Sequence, residues 1–327
     1  MSSQPPVVRI GARGSQLSLA QAGQMQRRIA AALGAPPEEA ERVAPLIVIK
    51  TSGDRIQDRR LLEVGGKGLF TKEIEEAMLA GEIDCAVHSM KDMPALLPDG
   101  LVIAAVPERE DPRDAFLSRE ALTLEDLPQG ARLGTASLRR QAQSLHARPD
   151  LDVQMLRGNV GTRMAKLEAG EFDAILLALS GLRRLGLDGA AKSFIDPVER
   201  PPAPGQGALA IETRAEDAHQ PWVKALQHAD TTLAVAAERG AMAALESSCR
   251  TPIGAFSQLA GGELSLIVEA LSPDGKLRYR RQGAVNLGPM TAGEGGGEGA
   301  LAAARDLGLR LGAELRDEAG DSIVLPE

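Results

Sequence analysis

Apolar and polar positions in the first third of the chain follow two alternating patterns, one typical of strands and one of helices. Short apolar runs ending in glycine, serine or polar residues predict strands in VVRIGARGS, VAPLIVIKTSGD and CAVHSM. Apolar residues three or four positions apart predict helices in QLSLAQAGQMQRRIAAAL and after VGGKG, where Phe70, Ile74, Ala77 and Met78 share one face. This alternation indicates an α/β layer with a largely parallel sheet, in which ligands bind at the carboxyl ends of the strands.

A second α/β unit is predicted to begin near PEREDPRDAFLS and to continue through ARLGTASLRRQAQSLHARP and AILLALSGLRRLGL. The segment DPVERPPAPGQGALAIETR, rich in proline and glycine, then predicts a crossover that returns the chain to the first unit. A third unit follows, with a helix and a loop, two strands in GELSLIVEALSP and KLRYRRQGAV, and a final helix in LAAARDLGLRLGAEL. We expect the glycine-rich segment 292–299 to be an exposed insertion without a function.

Composition and charge exclude several classes of function. Aromatic residues make up only 2% of the 327 residues and the net charge is −8, which disfavours base stacking and binding to nucleic acid or anionic membranes. No apolar run reaches the length of a membrane span, and the N-terminal stretch lacks the apolar core of a signal peptide. The four histidines and two cysteines show no metal-ligand spacing, so we expect a cytoplasmic protein without a metal.

Positively charged residues recur where predicted strands pass into loops. Between Arg132 and Arg184 there are nine lysines and arginines but only five acidic residues. If these junctions lie at the carboxyl ends of strands, two facing domains would present basic groups to a shared cleft suited to a ligand with several carboxylates or phosphates. The alternative is that most of them lie on solvated helix faces. The residues are Arg13 with Ser15, Lys67, Lys91, Arg139, Arg140, Arg157, Arg163, Arg183 and Arg184.

The stretch VHSMKD places Asp92 as an anion among these cations. Nearby positive charge keeps a carboxylate ionised, so Asp92 would be a poor resting acid but could stabilise a developing cation. Alternatively, Asp92 caps a helix or pairs with Lys91. We interpret His88 as a packed strand residue, whereas Ser89 could bind a ligand oxygen or cap a turn.

The two cysteines differ in setting. Cys249 lies in the loop sequence LESSCRTPIG beside Arg250, which could lower the pKa of its thiol and make it nucleophilic, although a small buried filler is equally compatible with the pattern. Cys85 lies within an apolar strand and is expected to be an inert core thiol.

These features together resemble the porphobilinogen deaminase (hydroxymethylbilane synthase) family of tetrapyrrole and heme biosynthesis. The matching stretches occur in the family's order and cover most of residues 8–257. They are RIGARGSQLSLAQA, VGGKGLFTKEIEEAML, AVHSMKDMP, EREDPRDAFLS, GTASLRRQ, LRGNVGTR, AILLALSGLRRLGL, PAPGQGALAIE and SSCRTPIGA.

The resemblance implies an α/β fold of three domains. Two are periplasmic-binding-protein-like (type II) α/β domains flanking a cleft, and the third is a small α+β C-terminal domain that carries the cofactor. The implied boundaries are 1–107 with 205–226 for the discontinuous first domain, 108–204 for the second and 227–327 for the third.

The resemblance also implies a transferase. Four porphobilinogen molecules would be condensed head to tail, with loss of ammonia, onto a dipyrromethane cofactor held by a thioether to Cys249, and hydrolysis would release hydroxymethylbilane. Each porphobilinogen carries an acetate and a propionate, and loss of its ammonia leaves a cationic methylene-pyrrolenine. The implied enzyme is a monomer whose partner is porphobilinogen, without nucleic acid or membrane.

The family's site residues match this sequence position by position. Asp92 and Arg157 match catalytic positions, and Lys67 and Phe70 match a mobile loop over the cleft. The cofactor-binding set implied by the resemblance is Cys249, Ser89, Lys91, Asp92, Thr135, Ser137, Arg139, Arg140, Gly158 and Asn159, and the substrate-binding set is Arg13, Ser15, Arg157, Arg163, Arg184 and Gln206.

Three positions depart from the family pattern. Glu63 stands where many members have a lysine, two serines precede Cys249 in place of the commoner glycines, and Ala136 replaces a frequent serine. The rival function is a non-catalytic solute-binding or ligand-sensing protein with the same two-domain cleft. Such a protein would have no use for a loop cysteine together with a cleft aspartate.

Overall fold

The structure is a computed structural model, and it describes residues 7–55, 69–245, 251–288 and 297–324. The strands in this part of the chain are, in order, β1 Ile10–Arg13, β2 Leu46–Ile49, β3 Cys85–Ser89, β4 Leu101–Ala105, β5 Asp114–Ser118, β6 Arg132–Gly134, β7 Asp152–Gln154, β8 Ala174–Ala178, β9 Ser193–Phe194, β10 Leu209–Arg214, β11 Ile253–Ala260, β12 Glu263–Leu271 and β13 Arg278–Asn286.

The α-helices of the same described ranges are α1 Gln16–Ala32, α2 Ala40–Val43, α3 Ser52–Arg55, α4 Lys72–Leu79, α5 Leu138–Ala147, α6 Val160–Glu168, α7 Leu179–Arg184, α8 Pro221–Lys224, α9 Ala229–Ala244 and α10 Gly297–Ala319. Short 3-10 helices include Met90–Asp92, directly after β3. None of the described helices is both long and apolar enough to span a bilayer.

The chain divides into two compact units. Unit 1 consists of Met1–Arg109 with Ala208–Thr232, and unit 2 of Glu110–Gly207 with Leu233–Glu327. The predicted return of the chain to the first unit is confirmed, because β10 pairs with β3 and β4. The three-domain boundaries expected from the sequence stay a prediction.

Unit 1 is built on a five-stranded sheet in the order β2-β1-β3-β10-β4. Strand β1 pairs parallel with β2 and β3, whereas β10 runs antiparallel to both of its neighbours. Successive strand residues face opposite sides of the sheet. On one side, Cys85 and Val87 pack with α1, and on the other, Ala86 packs with Ile74 and Met78 of α4.

Unit 2 contains a sheet with the same plan, in the order β7-β6-β8-β5-β9. Strand β6 is parallel to β7 and β8, and β5 is antiparallel to β8 and β9. The two α/β sheets therefore share one topology with a single antiparallel strand in the fourth place. This confirms the predicted α/β, type II binding-protein-like class.

A smaller antiparallel sheet, β11-β12-β13, also belongs to unit 2 and packs against α9 and α10. The two helices approach so closely that a Cβ at Gly308 would lie 1.9 Å from the carbonyl oxygen of Ala237. No larger residue than glycine fits there without moving the backbone.

Three sequence-based expectations differ from the structure. Phe70 precedes α4 instead of sharing its apolar face, because the helix begins only after Thr71, its N-cap residue. Strand β11 was not predicted as a strand, since its extended state depends on pairing with β12. Helix α10 begins at Gly297, inside the segment 292–299 expected to be an insertion, and the rest of that segment lies outside the described residues.

Candidate functional site

The carboxyl ends of β1 and β3 bring one group of predicted site residues to the same edge of the unit 1 sheet. Ile10 pairs in parallel with Cys85, so β1 ends at Arg13 close to the level at which β3 ends at Ser89. Ser15 then caps α1 and accepts a hydrogen bond from the backbone N–H of Ser18 at 3.2 Å. The sequence predicted this clustering, because parallel strands present their carboxyl ends on one side.

Arg13 is oriented by an aromatic ring. Its guanidinium carbon lies 4.0 Å from the centroid of the Phe70 ring, within the range of a cation–π interaction. Its backbone N–H also donates to the Ser18 hydroxyl at 3.1 Å. Phe70, predicted as part of a loop over the cleft, is therefore a neighbour of Arg13. Lys67 lies outside the described residues.

Asp92 is presented to solvent by buried neighbours. Met90 and Met93 are 1% and 2% exposed and anchor the 3-10 turn, and the Met90 N–H donates to the carbonyl of Ala208 at 3.0 Å. Asp92 itself is exposed, Lys91 is half-buried, and no residue in the described ranges makes a hydrogen bond or ion pair with the Asp92 carboxylate. Helix capping and pairing with Lys91, the structural roles open from the sequence, are thus not seen in this part of the chain.

Ser89 and His88 are both engaged within unit 1. The Ser89 hydroxyl accepts a hydrogen bond from Nε2 of Gln21 at 2.9 Å, which leaves its own proton available to a ligand oxygen. His88 is 6% exposed, and its Nε2 lies 3.0 Å from Oε2 of the fully buried Glu212. As expected from the sequence, His88 is a packed strand residue.

In unit 2, the end of β6 leads through a hydrogen-bonded turn into α5. The backbone N–H of Ser137 donates to the Thr135 hydroxyl at 3.1 Å, and Ser137 in turn caps α5 by accepting from the N–H of Arg140 at 3.4 Å. Arg139 and Arg140 therefore lie in the first turn of this helix. Both are buried, with 5% and 6% of their surface exposed.

Asp114, at the start of β5, binds both arginines. Its carboxylate accepts from Nη1 of Arg139 at 2.8 Å and from Nε and Nη2 of Arg140 at 3.1 and 2.8 Å. Gln206, a predicted substrate residue that is 1% exposed, donates to the same carboxylate at 2.8 Å. Burial alone would raise the pKa of Asp114, but the two guanidinium groups outweigh it and hold that pKa well below its usual range.

Sequence reasoning missed Asp114 as a site residue. The signal was present in DPRDAFLS, where an aspartate opens an apolar strand. A carboxylate at the start of a buried strand needs positively charged or hydrogen-bonding partners. The sequence did not show which partners these would be.

The loop after β7 carries a second basic group. Gly158 has a φ of +109°, in the region that favours glycine, and Asn159 caps α6 by accepting from the N–H of Thr162 at 2.8 Å. Nε of the half-buried Arg163 donates to the Gly158 carbonyl at 2.8 Å. Arg157, one residue before Gly158, is half-buried. Since β7 is parallel to β6, this loop and the start of α5 lie at the same edge of the sheet.

Arg184 is positioned at the end of α7. Its Nη2 donates to the carbonyl of Gly207 at 2.7 Å. Burial lowers its pKa, partly offset by Glu110. Gly207 has a φ of +91°, and a Cβ there would lie 2.2 Å from the carbonyl oxygen of Glu110, so this approach requires glycine.

The unit 2 cluster fits a ligand that carries carboxylates. Nε of Arg139 is enclosed, and among the described residues nothing accepts a hydrogen bond from it. A buried donor without a partner costs about 1–3 kcal/mol, and a ligand carboxylate would supply the missing acceptor. A dipyrromethane has such carboxylates. Cys249, the residue expected to hold it, lies outside the described residues.

Cys85 is fully buried, and burial raises the pKa of its thiol far above the usual range. A thiol in this setting is neither ionised nor accessible at neutral pH. This confirms the expectation of an inert core cysteine.

Comparison with known proteins identifies the family. Residues 8–221 match the model of the porphobilinogen deaminase dipyromethane cofactor binding domain, and residues 232–317 match the porphobilinogen deaminase C-terminal domain. A porphobilinogen deaminase of Phenylobacterium zucineum is 70% identical over 98% of this chain and 99% of the relative. One of Caulobacter vibrioides is 66% identical over the whole of both chains.

Among solved structures, a nutrient binding protein from Burkholderia cenocepacia bound to methionine is 16% identical, with a TM-score of 0.41, over 67% of this chain and 90% of the other. The two family models together cover most of the sequence, and the relatives match it from end to end. The chain therefore belongs to the porphobilinogen deaminase family.

Proposed function

We propose that the chain is a transferase that condenses four porphobilinogen molecules, with loss of ammonia, onto a covalent dipyrromethane primer and releases hydroxymethylbilane by hydrolysis. At the level of the site, this proposal rests on the exposed carboxylate of Asp92. Its carboxylate is exposed at the end of β3, and no described residue neutralises it. A structural aspartate is normally paired or capping, so an unpaired one held by a buried turn is suited to a ligand.

Asp92 would act on the charge that develops as ammonia leaves. Loss of ammonia from the aminomethyl group leaves a positive charge spread over the pyrrole ring, and a fixed carboxylate stabilises that charge and accepts from the pyrrole N–H. The dipyrromethane, when bound, supplies the nucleophilic pyrrole carbon for chain growth. We assign Arg157 to assisting proton transfer through hydrogen bonds donated by its guanidinium N–H groups.

The remaining polar groups would bind carboxylates. The hydroxyls of Ser15, Ser89 and Ser137 already accept hydrogen bonds in the protein, so each can still donate its own proton to a ligand oxygen. The amide NH2 of Asn159 is likewise a donor beside its capping oxygen. We assign binding of the cofactor to Ser89, Lys91, Thr135, Ser137, Arg139, Arg140, Gly158 and Asn159, and its covalent attachment through a thioether to Cys249. We assign binding of the substrate to Arg13, Ser15, Arg157, Arg163, Arg184 and Gln206. Lys67 and Phe70 would belong to a loop that covers the cleft.

We also infer that the enzyme works as a cytoplasmic monomer without a nucleic-acid or membrane partner. The net charge of −8 supports the absence of polyanionic partners. Sedimentation at micromolar concentration tests the monomer, and a single species at twice the chain mass would contradict it.

Replacement of Asp92 by Asn tests the catalytic proposal. The variant keeps the shape of the side chain but loses its charge, so we expect a folded protein with cofactor attached whose kcat falls by about 10²–10³-fold or more. Conversion of porphobilinogen is measured by the colour that hydroxymethylbilane gives after cyclisation and oxidation.

The matched control is Asp99→Asn, at an exposed aspartate seven positions farther along the chain. It should turn over porphobilinogen at the wild-type rate. Near-normal turnover by Asp92→Asn would contradict the role of Asp92. Tight binding of porphobilinogen by the wild type without its consumption would favour the solute-binding alternative.

A further inference from the structure

We propose that Glu269 is a positioning residue that holds the three-stranded sheet β11-β12-β13 against α5 in one arrangement, so that the chain leading to Cys249 starts from a fixed place. This inference rests on the proposed function, because Cys249 is assigned there to the attachment of the dipyrromethane. Glu269 acts through the sheet and not through a contact with cofactor or substrate.

The two faces of strand β12 have different surroundings. One face packs on the helices α9 and α10 through Leu264, Leu266, Val268 and Ala270. On the opposite face, Glu263 is exposed at one end of the strand, whereas Glu269 is 1% and Leu271 0% exposed near the other end. Another part of unit 2 therefore covers this face where Glu269 lies.

Helix α5 is part of that cover. Nε2 of Gln143 donates to Oε1 of Glu269 at 2.8 Å. In the turn between β12 and β13, a Cβ at Gly275 would lie 2.5 Å from the carbonyl oxygen of Ala142, and the Gly275 carbonyl oxygen lies 2.8 Å from Nδ1 of His146. The sheet thus meets α5 at Glu269 and again at this turn.

The segment 198–202, which we call the strap, is held to the same sheet. Arg278 in β13 donates from Nε to Oε2 of Glu269 at 2.7 Å and from Nη2 to the carbonyl of Glu199 at 2.7 Å. One oxygen of Glu269 is therefore bonded to α5, and the other is bonded to an arginine that also holds the strap.

Short connections lead from Glu269 towards the cysteine assigned to the cofactor. The N–H of Leu271, two residues after Glu269, donates to the carbonyl of Pro252 at 3.1 Å. Pro252 is three positions after Cys249 in the sequence, and Cys249 itself lies outside the described residues. A shift of β12 on α5 would therefore move the chain close to Cys249.

Stability alone does not explain a carboxylate in this buried place. Taking Glu269 out of water costs free energy, and apolar residues of similar size often stabilise a buried position as well as an ion pair does or better. A carboxylate adds direction, because both of its oxygens are satisfied only when Gln143 and Arg278 are in place. Glu269 therefore selects one arrangement of the sheet on α5.

Loss of this selection would displace the attachment point of the cofactor and leave the residues assigned to the substrate unchanged. Porphobilinogen would then bind as before but react in a less favourable geometry. Misplacement of reacting groups by about 1 Å can cost about 10²-fold in rate. We therefore expect kcat to fall and the KM for porphobilinogen to stay nearly constant.

The test measures kcat and KM for Glu269→Gln and Arg278→Gln, each of which removes the ion pair between the two residues. We expect kcat per cofactor-carrying molecule to fall at least about tenfold and KM to change less than about twofold. The folded species is isolated by gel filtration and its cofactor content is read by intact mass. A loss of folding or of cofactor is thus not counted as a loss of rate.

Two controls separate positioning from a purely structural role. Arg281 lies on the same strand as Arg278 but pairs with Glu314 and Glu318 of α10. Arg281→Gln should lower the urea midpoint as Arg278→Gln does but keep the wild-type kcat, because it leaves the contacts to α5 and the strap in place. Glu263→Gln, at the exposed end of β12, should match the wild type in both midpoint and kcat.

An unchanged kcat in Glu269→Gln or Arg278→Gln, or an equal fall of kcat in Arg281→Gln, would overturn this inference. A rise of KM without a fall of kcat would overturn it as well. None of these results would affect the proposed function, provided that the wild type carries its adduct and consumes porphobilinogen. A wild type that does neither would overturn the proposed function itself.

Discussion

Three ionisable side chains of unit 1 are buried together on the side of the sheet that faces α4. Glu75 is 7% exposed, His88 6% and Glu212 0%. Oε2 of Glu212 is paired with His88, but Oε1 of Glu212 and Oε1 of Glu75 are enclosed and have no hydrogen-bond partner in the described ranges. Burial raises the pKa of Glu75, and this outweighs the opposing effect of the Thr71 hydroxyl, while the nearby carboxylate of Glu212 raises the pKa further.

This raised pKa predicts that ionisation of Glu75 destabilises the native state as pH rises. The native state binds the Glu75 proton more tightly than the unfolded chain does, so its contribution to stability is complete below the ordinary pKa of 4.5 and is lost as pH rises through the native value. Glu75→Gln, which cannot ionise, should therefore gain stability relative to the wild type as pH rises from 4.5 towards 8.

Urea denaturation of both proteins across this pH range measures the difference. Glu76→Gln is the matched control, because Glu76 is exposed one position away. A stability difference for Glu75→Gln that stays constant with pH would show that the buried carboxyl does not titrate in this window.

At the residue scale, the sequence predicted the positions of residues at strand ends better than the pairing of buried residues. The positions of Arg13, Ser89 and Asp92 follow from where strands end, which short-range patterns reveal. The pairing of Asp114 with Arg139 and Arg140 joins residues 25 and 26 positions apart and depends on how β5 lies against β8. No local pattern specifies such a contact.

At the scale of elements, several predicted ligands have a second role as helix caps. Ser15, Ser137 and Asn159 are the N-cap residues of α1, α5 and α6. An N-cap oxygen satisfies one of the backbone N–H groups left free in the first helical turn. Serine and asparagine at these places therefore do not by themselves indicate a ligand, and the two roles must be separated by experiment.

Asn159 allows this separation. Asn159→Ala removes the cap and should lower the free energy of unfolding by about 1 kcal/mol, whereas Asn159→Asp keeps an acceptor and should leave stability near that of the wild type. If the Asn159 amide binds a cofactor carboxylate, Asn159→Asp should still lose activity through like-charge repulsion. Urea denaturation measures the stability of both variants, and turnover of porphobilinogen measures their activity. Full activity of Asn159→Asp would show that Asn159 only caps the helix and does not bind the cofactor.

The errors of the element predictions also have physical causes. Apolar periodicity located α4 but not its first residue, because Phe70 continues the apolar spacing although the helix begins only at Lys72. Strand β11 gains its extended conformation from eight residue pairs with β12, which lie beyond the reach of local propensity. Helix α10 begins at Gly297 in spite of the low helix propensity of glycine, and its buried residues start only at Ala304.

At the scale of the whole chain, two α/β sheets repeat one strand order, with the antiparallel place filled by β10 in unit 1 and by β5 in unit 2. The alternating pattern predicted the strands and helices and the return of the chain. The sequence provided no strand order, and the likeness of the two domains was implied only by the family resemblance. Hydrophobic periodicity says which face of a strand is buried but not which neighbours the strand has.

The central claim is that this chain carries a dipyrromethane on Cys249 and uses it as a primer. The most direct test is the intact mass of the purified protein, measured beside Cys249→Ser and Cys85→Ala. We expect the wild type and Cys85→Ala to exceed the mass of the chain by one dipyrromethane and Cys249→Ser to show no excess. Unmodified wild-type protein that also fails to consume porphobilinogen would contradict the claim.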